Sequence, residues 1–222
     1  MVLSASVFVF FKFPEQFDVM LERGFFERFS FFHVVWFFWM LDMVCQIVPS
    51  RKFFPVGSQK FLKYAFSPRA QTAKAQDMTE FLKSSNRGAA LSGALWLCAT
   101  AALAVFYFSG IINFRIMLLF SLFFYVSDVI CVLYWCPFRV WFLKTRCCTT
   151  CRIFNWDHLM MFSPLLFIPG FFTWSLCFVA ILIFVLWEVA FFRHPERFWD
   201  RRNEALTCRS CSDNLCPIKI SR

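Results

Sequence analysis

Apolar positions in this chain fill long, nearly uncharged runs, separated by short basic segments, instead of recurring with the period of a surface helix or strand. Phe31 to Val48 (FFHVVWFFWMLDMVCQIV) ends at Pro49, Ala89 to Ser109 ends at a tight turn over Gly110 to Asn113, and Phe114 to Tyr134 leads into Cys136-Pro137. A 34-residue run follows from Leu159 to Phe192, broken by Pro164 and by Pro169-Gly170; its second part, Phe171 to Phe192, has 22 residues. A helix of roughly 20 apolar residues spans the ~30 Å hydrocarbon core of a bilayer. The pattern therefore predicts an all-α fold: a polytopic helical membrane protein of about four membrane segments with cysteine-rich juxtamembrane loops. The Ala and Gly content of 89–109 suits close helix packing.

The remaining segments divide the chain. Residues 1–30 read as an amphipathic or interfacial lead-in, with Glu15, Asp18, Glu22 and Arg23 on one helix face. The opening MVLSASVFVFF has no basic start and no small-residue cleavage site, so it is not read as a signal peptide. Residues 31–192 form the helical membrane domain with basic loops 49–88 and 136–158, the first carrying a short surface helix from Pro68 to Lys83. Residues 193–222 form a basic tail in which FRHPERFWDRRNEAL reads as a surface helix before the closing cysteine cluster.

Composition agrees with the pattern. The 222 residues are 59% hydrophobic and 22% aromatic, with 35 Phe and a mean hydropathy of +0.59, more apolar surface than a soluble domain of this size can bury. The net charge of +9 reports topology and anionic lipid, because its basic residues are not interleaved with the platform of a nucleic-acid binder. Of the 23 Lys/Arg, eight lie in 49–88, four in 136–158 and seven in 193–222. The positive-inside rule places the first two loops in the cytoplasm. If 159–192 enters the membrane and returns, the tail joins them, 19 of 23 charges lie on one face, and both cysteine clusters share it. Against the return, two full spans need about 40 residues and the run has 34. The charge count sets the expectation: a cell-membrane, multi-pass protein with its cysteine clusters facing the cytoplasm.

Cysteines carry the candidate chemistry. Cys45, Cys98, Cys131 and Cys177 fall in apolar segments and read as small buried hydrophobes. The other seven do not. Cys148 and Cys151 make a CxxC with Cys147 beside it and Cys136 before it, and Cys208 and Cys211 make another with Cys216 beyond. Two such pairs can turn four thiolates towards one soft metal, zinc or an iron–sulfur cluster, and a Pro after Cys136 and Cys216 leans towards iron–sulfur. The 56 residues between the pairs exceed the usual zinc-ribbon spacing. Arg146, Arg152 and Arg209 favour thiolates, which serves metal binding and thiol redox chemistry alike. Asp157 and His158 read either as further ligands or as a polar interfacial step beside Trp156.

Three acids, Asp42, Asp128 and Glu188, stand at membrane depth, where ionisable groups are costly and mark functional candidates. Asp42 and Asp128 each open a D-x-x-C (DMVC, DVIC), which places Asp and Cys one helical turn apart. They are the candidates for a quinone head group or a proton relay. No nucleotide-binding, metalloprotease or hydrolase motif is present.

The run SDVICVLYWCPF through RCCTTCRIFNWDHLMMFSPL, with HPERF…NEALTCRSCSDNLC, resembles a group of uncharacterised bacterial polytopic membrane proteins over most of 31–222. That resemblance implies the architecture and no activity. YWCPFRVWF is similar, over about ten residues, to a segment of membrane-bound polyferredoxins, although Val132 stands where their first cysteine would be and their ferredoxin cysteine run is absent.

The function expected on these grounds is binding of an iron–sulfur cluster or zinc by Cys136, Cys147, Cys148, Cys151, Cys208, Cys211 and Cys216. With iron–sulfur, membrane electron transfer follows, with quinone near Asp128 or a membrane redox partner. One alternative is a membrane thiol–disulfide oxidoreductase using Cys148/Cys151 and resolving through Cys208/Cys211. Another is a small ion-coupled transporter in which Asp42, Asp128 and Glu188 carry the coupling. Whether the chain is an enzyme stays open; lipid is its expected surroundings and nucleic acid no partner.

Overall fold

The structure, a computed structural model, describes residues 25–26, 29, 31–49, 56–69 and 75–210. Most of it is helix (76%), with no strand among the described residues, so the all-α expectation holds. The α-helices are α1 (Phe31–Ile47), α2 (Val56–Gln59), α3 (Ala75–Phe108), α4 (Phe114–Leu133), α5 (Asp157–Phe162) and α6 (Phe171–Arg193), with a π-helical turn at Phe138–Leu143 and short 3-10 turns between. Three helices, α3, α4 and α6, are long and apolar enough to cross a membrane, and the 17-residue α1 is a shorter apolar helix. Their outer faces show Phe123, Ile130, Phe178, Val185 and Phe192 to the surroundings. Apolar surface of that extent suits lipid and not water. The expected lead-in over 1–30 lies almost wholly outside the described residues.

Two expectations change. From Ala75 on, the surface helix expected at 68–83 and the span expected at 89–109 are one helix, α3, of 34 residues; Pro68 instead bridges Asn203, and 70–74 lie outside the described residues. Nothing between Lys83 and Ala89 breaks it, and Gly88 sits where backbone must approach backbone. A Cβ there would stand 2.7 Å from the Phe142 carbonyl oxygen and 3.1 Å from Leu143 Cα. The turn after α3 is as expected: Gly110 takes φ +76°, Ile111 N–H bonds to Phe106 O (3.1 Å) and Gly110 N–H to Tyr107 O (3.0 Å). This is the double bond pattern of a left-handed C-terminal cap. Asn113 then caps α4 by accepting from Ile116 N–H (3.1 Å).

The described chain forms two compact units. The apolar unit holds α1 to Val44, Trp96–Asp128 and Asp157–Leu182. Inside it α5 and the 3-10 turn Ser163–Phe167 enclose Phe162, Ser163 and Leu165 fully, while Leu166 is exposed. Ser163 Oγ lies 3.1 Å from Trp96 Nε1 and 3.2 Å from Thr100 Oγ1, and the Phe167 ring meets Phe108 at the far end of α3 (5.9 Å). At the break, Thr173 Oγ1 donates to Ile168 O (2.6 Å). Irregular backbone at membrane depth is tolerated where protein buries it.

The second unit holds Cys45–Leu95, Val129–Trp156 and the chain from Ile183. Here the two ends of the 159–192 run meet: Trp187 Nε1 donates to Arg152 O (2.8 Å) and Trp156 Nε1 to Glu188 Oε1 (2.7 Å). The chain therefore leaves this unit after Trp156 and rejoins it from Ile183, within α6. Among the described residues of the tail the expected surface helix is absent. Instead, 3-10 turns at Pro195–Phe198 and Glu204–Leu206 dock Phe198 and Leu206, both buried, against the unit. Asn203, fully buried, ties the tail to the loop before α3: its Oδ1 accepts from Ser67 N–H (3.1 Å) and Ala205 N–H (3.2 Å), and its Nδ2 donates to Arg197 O (2.8 Å). Pro195 cannot extend a helix, and Phe198 and Leu206 bury more apolar surface by folding back.

Candidate functional site

In the second unit α4 ends at Leu133, and Tyr134-Trp135 carry the chain to Cys136. Pro137, at φ −63° and ψ −40°, is preset to start the π-helical turn. Cys136 thus stands where amide hydrogens are unpaired by the helix. Arg139 N–H points at its Sγ (3.5 Å), and Arg139 Nη1 is anchored on Arg146 O (3.0 Å). The Cys136 thiol is pulled down to about 6, first by a hydrogen bond from the Cys131 thiol, against its burial, and then by the Arg139 and Phe138 amides and the Arg139 guanidinium. At pH 7 such a group is about nine-tenths thiolate. Exposed Trp135 and Trp141, edge to face at 5.4 Å, flank it as an aromatic belt does at a bilayer surface.

The CTTC segment behaves oppositely. Burial pushes Cys148 up to about 12, helped by the neighbouring thiols and opposed by Arg139. Burial likewise pushes Cys151 up to about 11, against the charge of Lys60. Cys148 Sγ faces the Cys131 carbonyl (3.7 Å), and Cys147 Sγ faces Thr150 Oγ1 (3.7 Å). Cys208 is half-buried just beyond the Glu204–Leu206 turn, and Cys211 and Cys216 lie outside the described residues. Among the described residues no three His, Cys, Asp or Glu side chains are grouped to hold a metal ion, and no cysteine is in a disulfide.

Cys131, expected to be an apolar filler, is instead the partner of Cys136. The trace in the sequence is the spacing C-x4-C across a helix end, too loose to stand out among eleven cysteines. Lys60 left no trace at all. It is fully buried, its Nζ donates to Thr149 O (2.8 Å) and Cys151 O (2.6 Å), and it lies 5.0 Å from the Trp187 ring centre. It fixes the CTTC backbone from behind.

Burial holds the Lys60 amine down at about 7, against the thiols Cys151 and Cys147. Folded values below the unfolded ones mean that the unfolded chain binds more protons. Stability should therefore rise from pH 7 to 9, with a slope of about 1.4 kcal/mol per pH unit from the fully buried Lys60 and a smaller one from the partly exposed Cys136. Above pH 9 Cys148 and Cys151, raised in the fold, act in the opposite sense. Lys60→Met should remove at least half of the slope between pH 7 and 9, read from denaturant midpoints in detergent; an unchanged slope would show the amine charged in the fold.

Two further ionic groups are structural in geometry. Arg152, 3% exposed, donates from both terminal nitrogens to Glu188, whose Oε1 also takes the Trp156 indole. Glu188, a candidate coupling acid, is thus the counter-ion of a buried arginine. In the apolar unit His158 Nδ1 bonds Asp157 Oδ1 (2.9 Å) and its Nε2 bonds Asp42 Oδ2 (3.0 Å). With a carboxylate at each nitrogen the ring carries both protons, an imidazolium pinning α5 to α1. Asp128 is half-buried near the end of α4. No family model, curated protein or solved structure matches this chain.

Proposed function

We propose that the protein is a membrane thiol–disulfide exchange protein in which Cys136 is the attacking thiolate and Cys131 the resolving thiol. The observation that carries this reading is the Cys136 sulfur held between the Cys131 thiol and the Arg139 amide. It keeps the thiol-exchange alternative but moves it from the two CxxC pairs, the first of which, Cys148 and Cys151, is held protonated, to the end of α4. In the exchange the Cys136 thiolate attacks one sulfur of a substrate disulfide and expels the other as a thiolate. The Cys131 proton passes to that leaving group. The Cys131 thiolate then attacks Cys136, forms the Cys131–Cys136 disulfide and releases the second substrate thiolate. Two electrons have moved from protein to substrate, and a dithiol of the membrane or cytosol restores the pair. The basic loops and tail, with 19 of 23 Lys/Arg, favour a cytoplasmic setting for the site, where thiols stay reduced.

The test uses purified Cys131→Ser protein with glutathione disulfide. It should accumulate one adduct on Cys136, seen by mass spectrometry, which wild type resolves and Cys136→Ser never forms. Equal adducts on all three proteins would overturn the reading. Stoichiometric iron or zinc in protein purified without oxygen, lost on Cys136→Ser, would replace it with the metal-binding one.

A further inference from the structure

We propose that a polar cleft in the second unit binds a dipolar ligand carrying a primary ammonium and a phosphate or carboxylate a few bonds apart. The cleft, of about 460 Å³, opens between the first turns of α3, the Lys144–Arg146 segment and the tail at Phe198–Arg201, and its size is that of small-molecule sites. Its walls differ in net charge. Asp77 and Glu80 line the α3 side, three residues apart on one helix face, while on the opposite segments Lys144, Arg146 and Arg201 outnumber Asp200, which lies 3.9 Å from Arg146. A simple anion would meet the two carboxylates, and a simple cation would meet the three bases. A ligand with both charges complements both walls.

Three observations set this cleft apart from an ordinary charged surface. The wall holds a hydroxyl oxygen, Thr145 Oγ1, that is buried and has no hydrogen-bond partner, a state that native proteins rarely leave uncompensated. Lys144 takes left-handed backbone (φ 50°), uncommon for a residue with a side chain and concentrated at binding sites. Phe81 and Trp199 stack at 5.2 Å and 13°, giving the cleft an aromatic wall that tolerates an ammonium group. Position narrows the source. Asp77 and Ser85 precede Ala89, where the apolar part of α3 begins, by twelve and four residues, about 18 and 6 Å along the axis. The cleft thus reaches from headgroup level outwards, and its ligand is either an ethanolamine-type lipid headgroup or its free counterpart.

Calorimetry on the full chain in phosphatidylcholine nanodiscs tests this with phosphoethanolamine, phosphocholine, ethanolamine and inorganic phosphate. Phosphoethanolamine should bind at least tenfold more tightly than the other three. Glu80→Gln should weaken it about tenfold without weakening phosphate, and Arg201→Gln should weaken both; the Cys136 alkylation rate, unaltered in each, shows that the variants fold. Repeating the titration in nanodiscs containing phosphatidylethanolamine names the source: loss of the signal marks the lipid, an unchanged signal the free solute, and both support a dipolar site. Phosphate binding as tightly as phosphoethanolamine, phosphocholine binding equally well, or no binding by any of the four would overturn the proposal.

Discussion

A Glu188→Gln protein should lose about 3–5 kcal/mol of unfolding free energy, because removing one member of a buried ion pair leaves the other charge uncompensated. Arg152 is the exposed end of nothing: its guanidinium sits 3.7 Å from the Phe191 ring centre, and only 3% of its side chain meets solvent. Glu188 accepts from both terminal nitrogens of that guanidinium and from the Trp156 indole. Gln can replace only part of this and brings no charge. The double variant Arg152→Met/Glu188→Leu should recover most of the loss, since apolar side chains of similar volume often serve as well as a buried pair. Denaturant unfolding in detergent, followed by tryptophan fluorescence, measures both. A loss below about 1 kcal/mol in Glu188→Gln would place the pair in water, where such pairs contribute that little.

Thiol reactivity should separate Cys136 from the CTTC cysteines by roughly a hundredfold at pH 7. The thiolate fractions that follow from about 6 for Cys136 and about 11 for Cys151 differ by roughly 10⁴. The lower basicity of Cys136 returns about 10² of that, because nucleophilicity falls with pKa. Iodoacetamide labelling resolved by peptide mass spectrometry should therefore reach Cys136 first, with a rate that is half-maximal near pH 6 and flat above pH 7. Cys131→Ala should move that midpoint up by more than Arg139→Gln does, since the thiol hydrogen bond is the larger cause. First labelling at Cys208, or a midpoint near 9, would remove the basis for assigning the attack to Cys136.

The membrane helices were legible because hydrocarbon length is written directly into apolar runs: Phe114 to Tyr134 against the observed Phe114–Leu133, Phe171 to Phe192 against Phe171–Arg193. Boundaries set by a residue's own conformation, Gly110 and Asn113, were equally readable. The union of two helices into α3 was not, because Gly88 looks like a breaker until the Phe142 carbonyl is seen to need its missing side chain. Charge alone could not decide whether the 159–192 run crosses once or returns, and the contacts that bring Arg152 and Trp156 to Trp187 and Glu188 are tertiary and left no mark in the sequence. The site was half legible. CxxC spacing drew attention to thiols that burial holds protonated, while the pairing of Cys136 with Cys131 depends on how a helix end turns, and Lys60 on a contact 91 residues away in sequence.

The second unit is knitted from chain segments far apart in order of synthesis. Lys60 bonds the carbonyls of Thr149 and Cys151, Asn155 bonds Ser58, and Ser67 waits for Asn203, 136 residues later. Contacts so distant form late. A ribosome still translating α6 has therefore released the basic loops and the CTTC segment without the partners that bury Arg152 and enclose the tail side of the unit. A nascent chain cut short before Glu188 leaves the Arg152 guanidinium without its counter-ion, and one cut short before Asn203 leaves the Ser67 amide without its acceptor.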